Sequence, residues 1–308
     1  MLLLLCLACG NRKDGAADAS GEEASSKPAV TYPAFDQTRA FAHLEQQVGF
    51  GPRFPGSPGH EQAKAFLKQT LGRWANRLIV QEFTEASEGV TLHLTNIVGV
   101  ITARTSPAKR VVLGAHWDTR PEASQESVPS SRARPIIGAN DGASGVAILL
   151  EVAAVLAAQR PDVEVVIVLF DGEDYGGIKG FEYSLGASRF VSEMELRGVK
   201  PDWMILIDMV GDSDLRILKE PGSTGWLVDL IWAAAPRVQA DAFVPDTYPS
   251  AIIDDHVPFL RAGIPAVDLI DFDYPFWHRL DDTADKCSPA SLKQVGDVLL
   301  RVVYQELK

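Results

Sequence analysis

Continuous β-branched runs, each closed by a polar residue and followed by a helical stretch, constrain this chain more than any other feature. "RVVLGAH" (110–116), "VEVVIVLF" (163–170), "WMILID" (203–208) and "IPAVDLI" (264–270) lack the polar alternation of a half-exposed strand. Runs of this kind are strands covered on both faces, the condition of a parallel sheet between helical layers. Between and after them, residues 141–159, 225–238 and 288–307 predict helices. Ahead of them, 36–48 and 60–74 predict two more, separated by the glycine- and proline-rich "GFGPRFPGSPG". "RLIVQEF" and "LTNIVGVI" predict two further strands. The expected fold is a three-layer α/β/α domain with a mixed, mostly parallel central sheet.

No repeat or composition break divides residues 34–308, which are expected to form a single catalytic domain, and a monomer is the simplest expectation. At 46% hydrophobic residues the chain can bury a substantial core. Its formal charge of -12 and the absence of a dense Lys/Arg run exclude nucleic acid as a partner.

The first residues, "MLLLLCLACGNRKDG", hold an apolar run of about nine residues, shorter than the roughly 20 needed to span a bilayer. The run resembles a signal-peptide core, and "LAC" before Gly10 resembles a bacterial lipobox. Residues 1–9 are thus expected to be a lipoprotein-type signal ending at a lipidated Cys9. Residues 10–33, small and charged, are expected to form a disordered tether. The implied location is periplasmic, exported and anchored to a bacterial membrane. Cys6 at position −3 and the missing basic n-region depart from the lipobox pattern.

In a parallel sheet the ligand site lies beyond the carboxyl ends of the strands. Each strand here delivers a metal-binding residue type to that edge. "VVLGAHWD" ends in His116 and Asp118, "VIVLFDGED" in Glu173 and Asp174, and "MILIDMVG" carries Asp208. "GAND" places Asp141 at a helix start, where the macrodipole favours a carboxylate, and "FWH" supplies His278. Each alone has a bland reading: a core histidine, a helix cap, a solvated turn, a buried ion-pair partner. Their recurrence at successive strand ends favours a zinc site instead. H-E-x-x-H, a phosphate-binding glycine loop and G-x-S-x-G are all missing from the sequence. His256 is expected to be structural, His43, His60 and His93 to lie at the surface, and Asp254–Asp255 to cap a helix at "HVPFL".

"GPRFPGSPG", "GAHWDTR", "GANDGASGVAILLEVA", "VLFDGEDYG", "LIDMVGD", "DDHVPFLRAGIPAVDLI" and "WHRLDDT" follow the order seen in the zinc aminopeptidase superfamily. Over roughly residues 36–307 the chain most resembles the glutaminyl-peptide cyclotransferase (glutaminyl cyclase) branch. That resemblance implies Asp141, Asp174 and His278 as ligands of one zinc and Glu173 as general acid/base. It implies Asp208 and Asp254 as carboxylates in a network with Glu173. In two-metal aminopeptidases Asp141 would bridge the ions, with His116 and Asp208 on one and Asp174 and His278 on the other. Asp118 would then hold the imidazole of His116. Animal cyclases carry Glu-Glu where this chain has Glu173–Asp174.

Cyclisation joins the substrate's own α-amine to its γ-amide carbon and expels ammonia, which a dry wall favours over water attack. Trp277, directly before His278, matches the cyclase branch, where aminopeptidases more often have tyrosine. "DDH" at 254–256 replaces the "SDH" common in aminopeptidases. The expected activity is conversion of N-terminal glutamine of peptides or proteins to pyroglutamate. The alternatives are a two-zinc aminopeptidase and a metal-free binding module. The loop 119–138 borders the expected site without an assigned role.

Overall fold

The computed structural model describes residues 31–106 and 108–307. The signal segment, Cys9 and the tether up to residue 30 lie outside the described residues. Residues 31–33, counted with the tether above, belong to the fold. Tyr32 stacks on Tyr304 with ring centroids 4.6 Å apart, and Thr31 O accepts from Gln159 Nε2 at 2.5 Å. None of the described helices is long and apolar enough to cross a membrane.

Among the described residues, eight strands and seven α-helices follow in chain order: α1 (Gln37–Gly49), α2 (Pro58–Trp74), β1 (Arg77–Ser87), β2 (Val90–Ile101), β3 (Arg110–His116), α3 (Ala143–Ala158), β4 (Glu164–Phe170), α4 (Leu185–Glu193), β5 (Trp203–Asp208), β6 (Ile217–Lys219), α5 (Gly225–Ala234), β7 (Phe243–Thr247), α6 (Val257–Arg261), β8 (Ala266–Ile270) and α7 (Pro289–Arg301). A π-helical turn, Val302–Glu306, closes the chain's last helix. The main sheet has the order β1-β2-β4-β3-β5-β8. β4, β3, β5 and β8 run parallel, and the β1–β2 hairpin joins antiparallel to β4. The sheet is therefore mixed and mostly parallel, as its apolar runs predict.

After β3 the chain crosses to β4 on one side, then returns through α4 to β5 on the other. The crevice at that reversal lies between the carboxyl ends of β3 and β5, the position where open α/β sheets bind ligands. His116 and Asp208 terminate those two strands.

Helices α1, α2 and α7 pack around α3 on one face. α3 is buried on every side from Ala143 to Leu156, which explains why its sequence is apolar all round rather than striped. On the other face α4 and α6 bring Phe190 and Phe259 against Phe170 of β4, with centroids 5.8–6.2 Å apart. Three helix starts, those of α1, α2 and α7, follow ordinary capping chemistry. Asp36 accepts from Thr38 and Arg39 amides, and Ser57 and Ser288 cap α2 and α7 ahead of Pro58 and Pro289.

Three local expectations change. α6 begins after His256 with no side-chain cap, so Asp254 and Asp255 turn inward instead of capping it. His60 is buried rather than superficial: it stacks on Trp117 at 4.3 Å, and its Nε2 lies 3.0 Å from both oxygens of Asp171. His43 is half-buried, and His93 alone of the three is exposed. The two-stranded β6–β7 sheet and helix α4 have no counterpart among the predicted elements, all three being short.

Candidate active site

The sequence-predicted residues converge at the carboxyl edge of the sheet. Ligand atoms from His116, Asp141 and Asp174 lie within 4.8 Å of one another. His116 Nε2 is 3.0 Å from Asp208 Oδ1 and 3.2 Å from Asp141 Oδ1, and its Nδ1 is 3.6 Å from Asp118 Oδ1. His278 Nε2 is 3.0 Å from Asp174 Oδ1 and 3.6 Å from Asp141 Oδ2. The two imidazoles thus flank one carboxylate, Asp141, from opposite sides.

Local sequence sets this geometry. Gly142 has φ 96°, and a Cβ there would come within 2.6 Å of the His116 ring, so the "ND-G" turn brings Asp141 against that histidine. Asp282 accepts from the amides of Asn140 (2.9 Å) and Asp141 (3.2 Å) and from the Tyr274 hydroxyl (2.8 Å), fixing the same turn from below. Arg120 Nη1 donates to the carbonyls of Asp174 (2.9 Å) and Gly176 (3.1 Å). Glu173 hangs from the same turn, its amide donating to Asp118 Oδ1 at 3.2 Å. His278 has φ 53°, a left-handed backbone unusual for a side chain of its size.

Two of these positioning groups escape sequence reasoning. Asp282 sits inside "WHRLDDT", and Arg53 inside "GPRFPGSPG". Arg53 is fully buried and donates to the carbonyls of Trp117 (3.1 Å), Ile137 (2.9 Å) and Gly138 (2.7 Å). An arginine amid glycines and prolines is the only signal the sequence offers. Burial pulls its guanidinium down to about 10 despite the nearby Asp282, Asp118, Asp141 and Asp174.

The electrostatics are those of crowded, desolvated acids. Burial first, and then neighbouring Asp174, raises Asp141 to about 6; burial raises Asp174 to about 7. Glu173 is held well above the ordinary range, by burial and by the charges of Asp254, Asp174 and Asp255 against the opposing His116. Asp254 is likewise held high by burial, Asp208 and Asp255. Burial pulls His278 down to about 4, against the attraction of Asp141. Burial pulls His116 down too, but Asp208, Asp118 and Asp141 outweigh it and leave it well above its usual value.

Asp141 Oδ2 and Asp174 Oδ2 are buried without a hydrogen-bond partner among the described residues. Two orphaned carboxylate oxygens beside the low-pKa nitrogen of His278 are a donor set that fits a divalent cation, and the mix of imidazole and carboxylate suits zinc. A cavity of about 390 Å³ opens onto this cluster. Asp141, Glu173, Asp208, Asp254 and His278 line its floor, and Tyr183, Tyr248, Ile252, Ile253, Phe272 and Trp277 line its walls. Trp277 stacks on His278 with centroids 4.2 Å apart and leans on Phe272 at 5.0 Å.

The chain is similar to several known proteins. The structure of glutaminyl cyclase from Bacteroides thetaiotaomicron bound to N-acetylhistamine is 32% identical, with TM-score 0.83 over 89% of this chain and 99% of that one. A Zn-dependent exopeptidase from Parabacteroides distasonis is 30% identical, with TM-score 0.84 over 89% of this chain and 100% of that one. The Bos taurus glutaminyl-peptide cyclotransferase is 24% identical over 307 residues, spanning 83% of this chain and 78% of that protein. The sequence profile of Peptidase family M28 matches residues 96–303. With two-thirds of its length inside that match and with an acid- and imidazole-lined cleft at the expected strand ends, the chain belongs to Peptidase family M28.

Proposed function

We propose that this protein is a glutaminyl-peptide cyclotransferase, converting an N-terminal glutamine to pyroglutamate with release of ammonia. The observation that carries this reading is the juxtaposition in one cavity of Glu173, its carboxyl held well above the usual range, with the aromatic wall of Trp277 over His278. The similarity to glutaminyl cyclases supports it.

Asp141, Asp174 and His278 would hold one zinc ion. Zinc, when bound, supplies Lewis-acid polarisation of the substrate's γ-carbonyl. Glu173 takes a proton from the α-amine as that nitrogen bonds to the carbonyl carbon of the γ-amide, and returns it to the amide nitrogen as the C–N bond breaks and ammonia leaves. A carboxyl whose affinity for a proton is raised by burial suits both halves of that transfer. Asp254 keeps Glu173 protonatable by its charge, and the backbone of Asp255 pins Asp254 through a 2.5 Å bond to Oδ1. Trp277, Phe272 and Tyr248 exclude water from the floor, which favours ring closure by the tethered amine over hydrolysis.

A two-zinc aminopeptidase would need His116 and Asp208 as a second ligand pair. His116 is 1% exposed and is not among the residues lining the cavity, whereas His278 is. The cyclase reading expects one zinc per chain, the aminopeptidase reading two. Incubating the protein with a glutamine-initiated peptide and measuring ammonia and product mass tests the cyclase reading. Loss of ammonia from an otherwise intact chain supports the cyclase; release of free amino acids from varied peptides overturns it.

The apolar run and Cys9 support export and lipid anchoring of this enzyme. Membrane fractionation of the native chain and of Cys9→Ala tests that: the variant should lose membrane association.

A further inference from the structure

The loop between β3 and α3 makes a set of contacts that the reaction as described does not use. Its residues 120–126 reach two of the three proposed zinc ligands. Arg120 holds the carbonyl of Asp174, as above. Ser124 Oγ lies 3.2 Å from His278 Nδ1. The Gln125 amide donates to His278 O at 3.2 Å, and Glu126 Oε1 accepts from the Leu280 amide at 3.0 Å. Three consecutive residues thus bracket the segment that carries His278, on its ring, its own carbonyl and the amide two residues on.

The loop is braced to do this. Ala123 is buried, and its amide donates to Arg134 O at 2.7 Å. Ile136 N donates to Arg120 O at 3.3 Å, and Arg132 Nε donates to Glu126 O at 2.7 Å. The bracketed histidine has the left-handed backbone noted above, a conformation that persists in a non-glycine residue only where surroundings enforce it.

The chemistry of the ring gives the contact a direction. An imidazole presents a lone pair at Nε2 only when its proton resides on Nδ1, and the group that accepts that proton's hydrogen bond selects the tautomer. The Ser124 hydroxyl oxygen is the acceptor placed at Nδ1.

We propose that Ser124 is a positioning residue for His278: its oxygen accepts the Nδ1–H, so that Nε2 faces Asp141 and Asp174 with its lone pair, while Gln125 and Glu126 lock the backbone that carries the ring. The proposal rests on His278 being a zinc ligand.

The test is competition of the purified protein against a chromophoric chelator for zinc, with cobalt substituted in parallel to read ligand geometry from its visible absorption. Ser124→Ala should weaken zinc binding by about 10–100-fold and alter the cobalt spectrum. Ser124→Thr, which restores the hydroxyl, should recover both. His278→Ala should weaken zinc at least as much, and Ser124→Ala should add nothing in the His278→Ala background, because it acts only through that ring. Ser124→Ala with native zinc affinity, alongside a defective His278→Ala, overturns the proposal and leaves the ligand assignment standing. An equal loss from Ser124→Ala in both backgrounds also overturns it, as a structural effect. Native zinc affinity in His278→Ala overturns the ligand assignment and the proposal together. Ser124 is half-buried and the thermal midpoint of the metal-free variants should match the native chain, so a fall in that midpoint for Ser124→Ala with none for Ser124→Thr counts against a purely positional role.

Discussion

With the metal stripped, lowering the pH from 8 should make this protein more stable. Asp255 is fully buried, neither carboxyl oxygen has a hydrogen-bond partner among the described residues, and burial raises it to about 8. Asp282 is raised to about 7 by burial and by the charge of Asp141. Both folded values lie above the unfolded aspartate value of about 4. The folded state therefore holds more protons, and stability rises as pH falls through the folded values. Each proton held only by the folded state contributes about 1.4 kcal/mol per pH unit. Between pH 8 and 6 that amounts to about 2 kcal/mol from Asp255 and about 1 kcal/mol from Asp282.

The rise continues below pH 6 toward the unfolded aspartate value of about 4, at a lower slope. His278, pulled down to about 4 when folded, binds a proton more readily in the unfolded chain and erodes stability below its unfolded value of about 6.5. Glu220, held at about 2 against burial by His256, two backbone amides and Ser223, adds a second loss as pH falls through 4 toward 2. Urea denaturation of chelator-treated protein at pH 8, 7, 6 and 4 reads the whole curve. Asp255→Asn should remove about 2 kcal/mol of the rise between pH 8 and 6. Stability that falls from pH 8 to 6, or a rise that Asp255→Asn leaves untouched, would refute the reasoning.

Glu173→Gln should lower kcat by about 10²–10⁴-fold while zinc content by metal analysis stays native, since Gln cannot carry the proton. Trp277→Ala should raise KM for a glutamine-initiated peptide more than it lowers kcat, as measured by steady-state ammonia release, because the ring walls the cavity without touching the proton path. Arg53→Met should cost about 3–5 kcal/mol in urea denaturation, because the carbonyls of Trp117, Ile137 and Gly138 lose the guanidinium that donates to them.

Much of the site could be reasoned from sequence because a parallel sheet puts every strand's carboxyl end on one edge. His116, Asp174 and Asp208 need only that rule to be brought together, and Asp141 needs only the helix that follows it. His278 was harder: no strand carries it, and its place depends on a left-handed turn and a clamp from a loop without periodicity. Arg53, Asp282 and the His60–Asp171 pair were not legible at all. Their roles lie in hydrogen bonds to backbone or side chains distant in sequence, which leave no spacing pattern. The same holds for Asp254 and Asp255, whose local pattern suggests a helix cap although tertiary packing turns both inward. The tether's inner boundary also moved, because a tyrosine pair docks residues that composition alone assigns to a solvated arm.

The strand order has a consequence for how such a site comes into being. β3 lies between β4 and β5, so it gains its neighbours only after two later segments have been made. His278 and the supporting Asp282 follow β8, behind every acid they must meet. A growing chain thus exposes Asp141, Glu173, Asp174 and Asp208 before either the imidazole or the carboxylate that completes them exists. Mutually repelling acids are gathered by non-local pairing, a route that slows folding relative to local contacts. No fragment that ends before residue 282 carries all of these groups, so the centre is complete only after nearly the whole chain has been made.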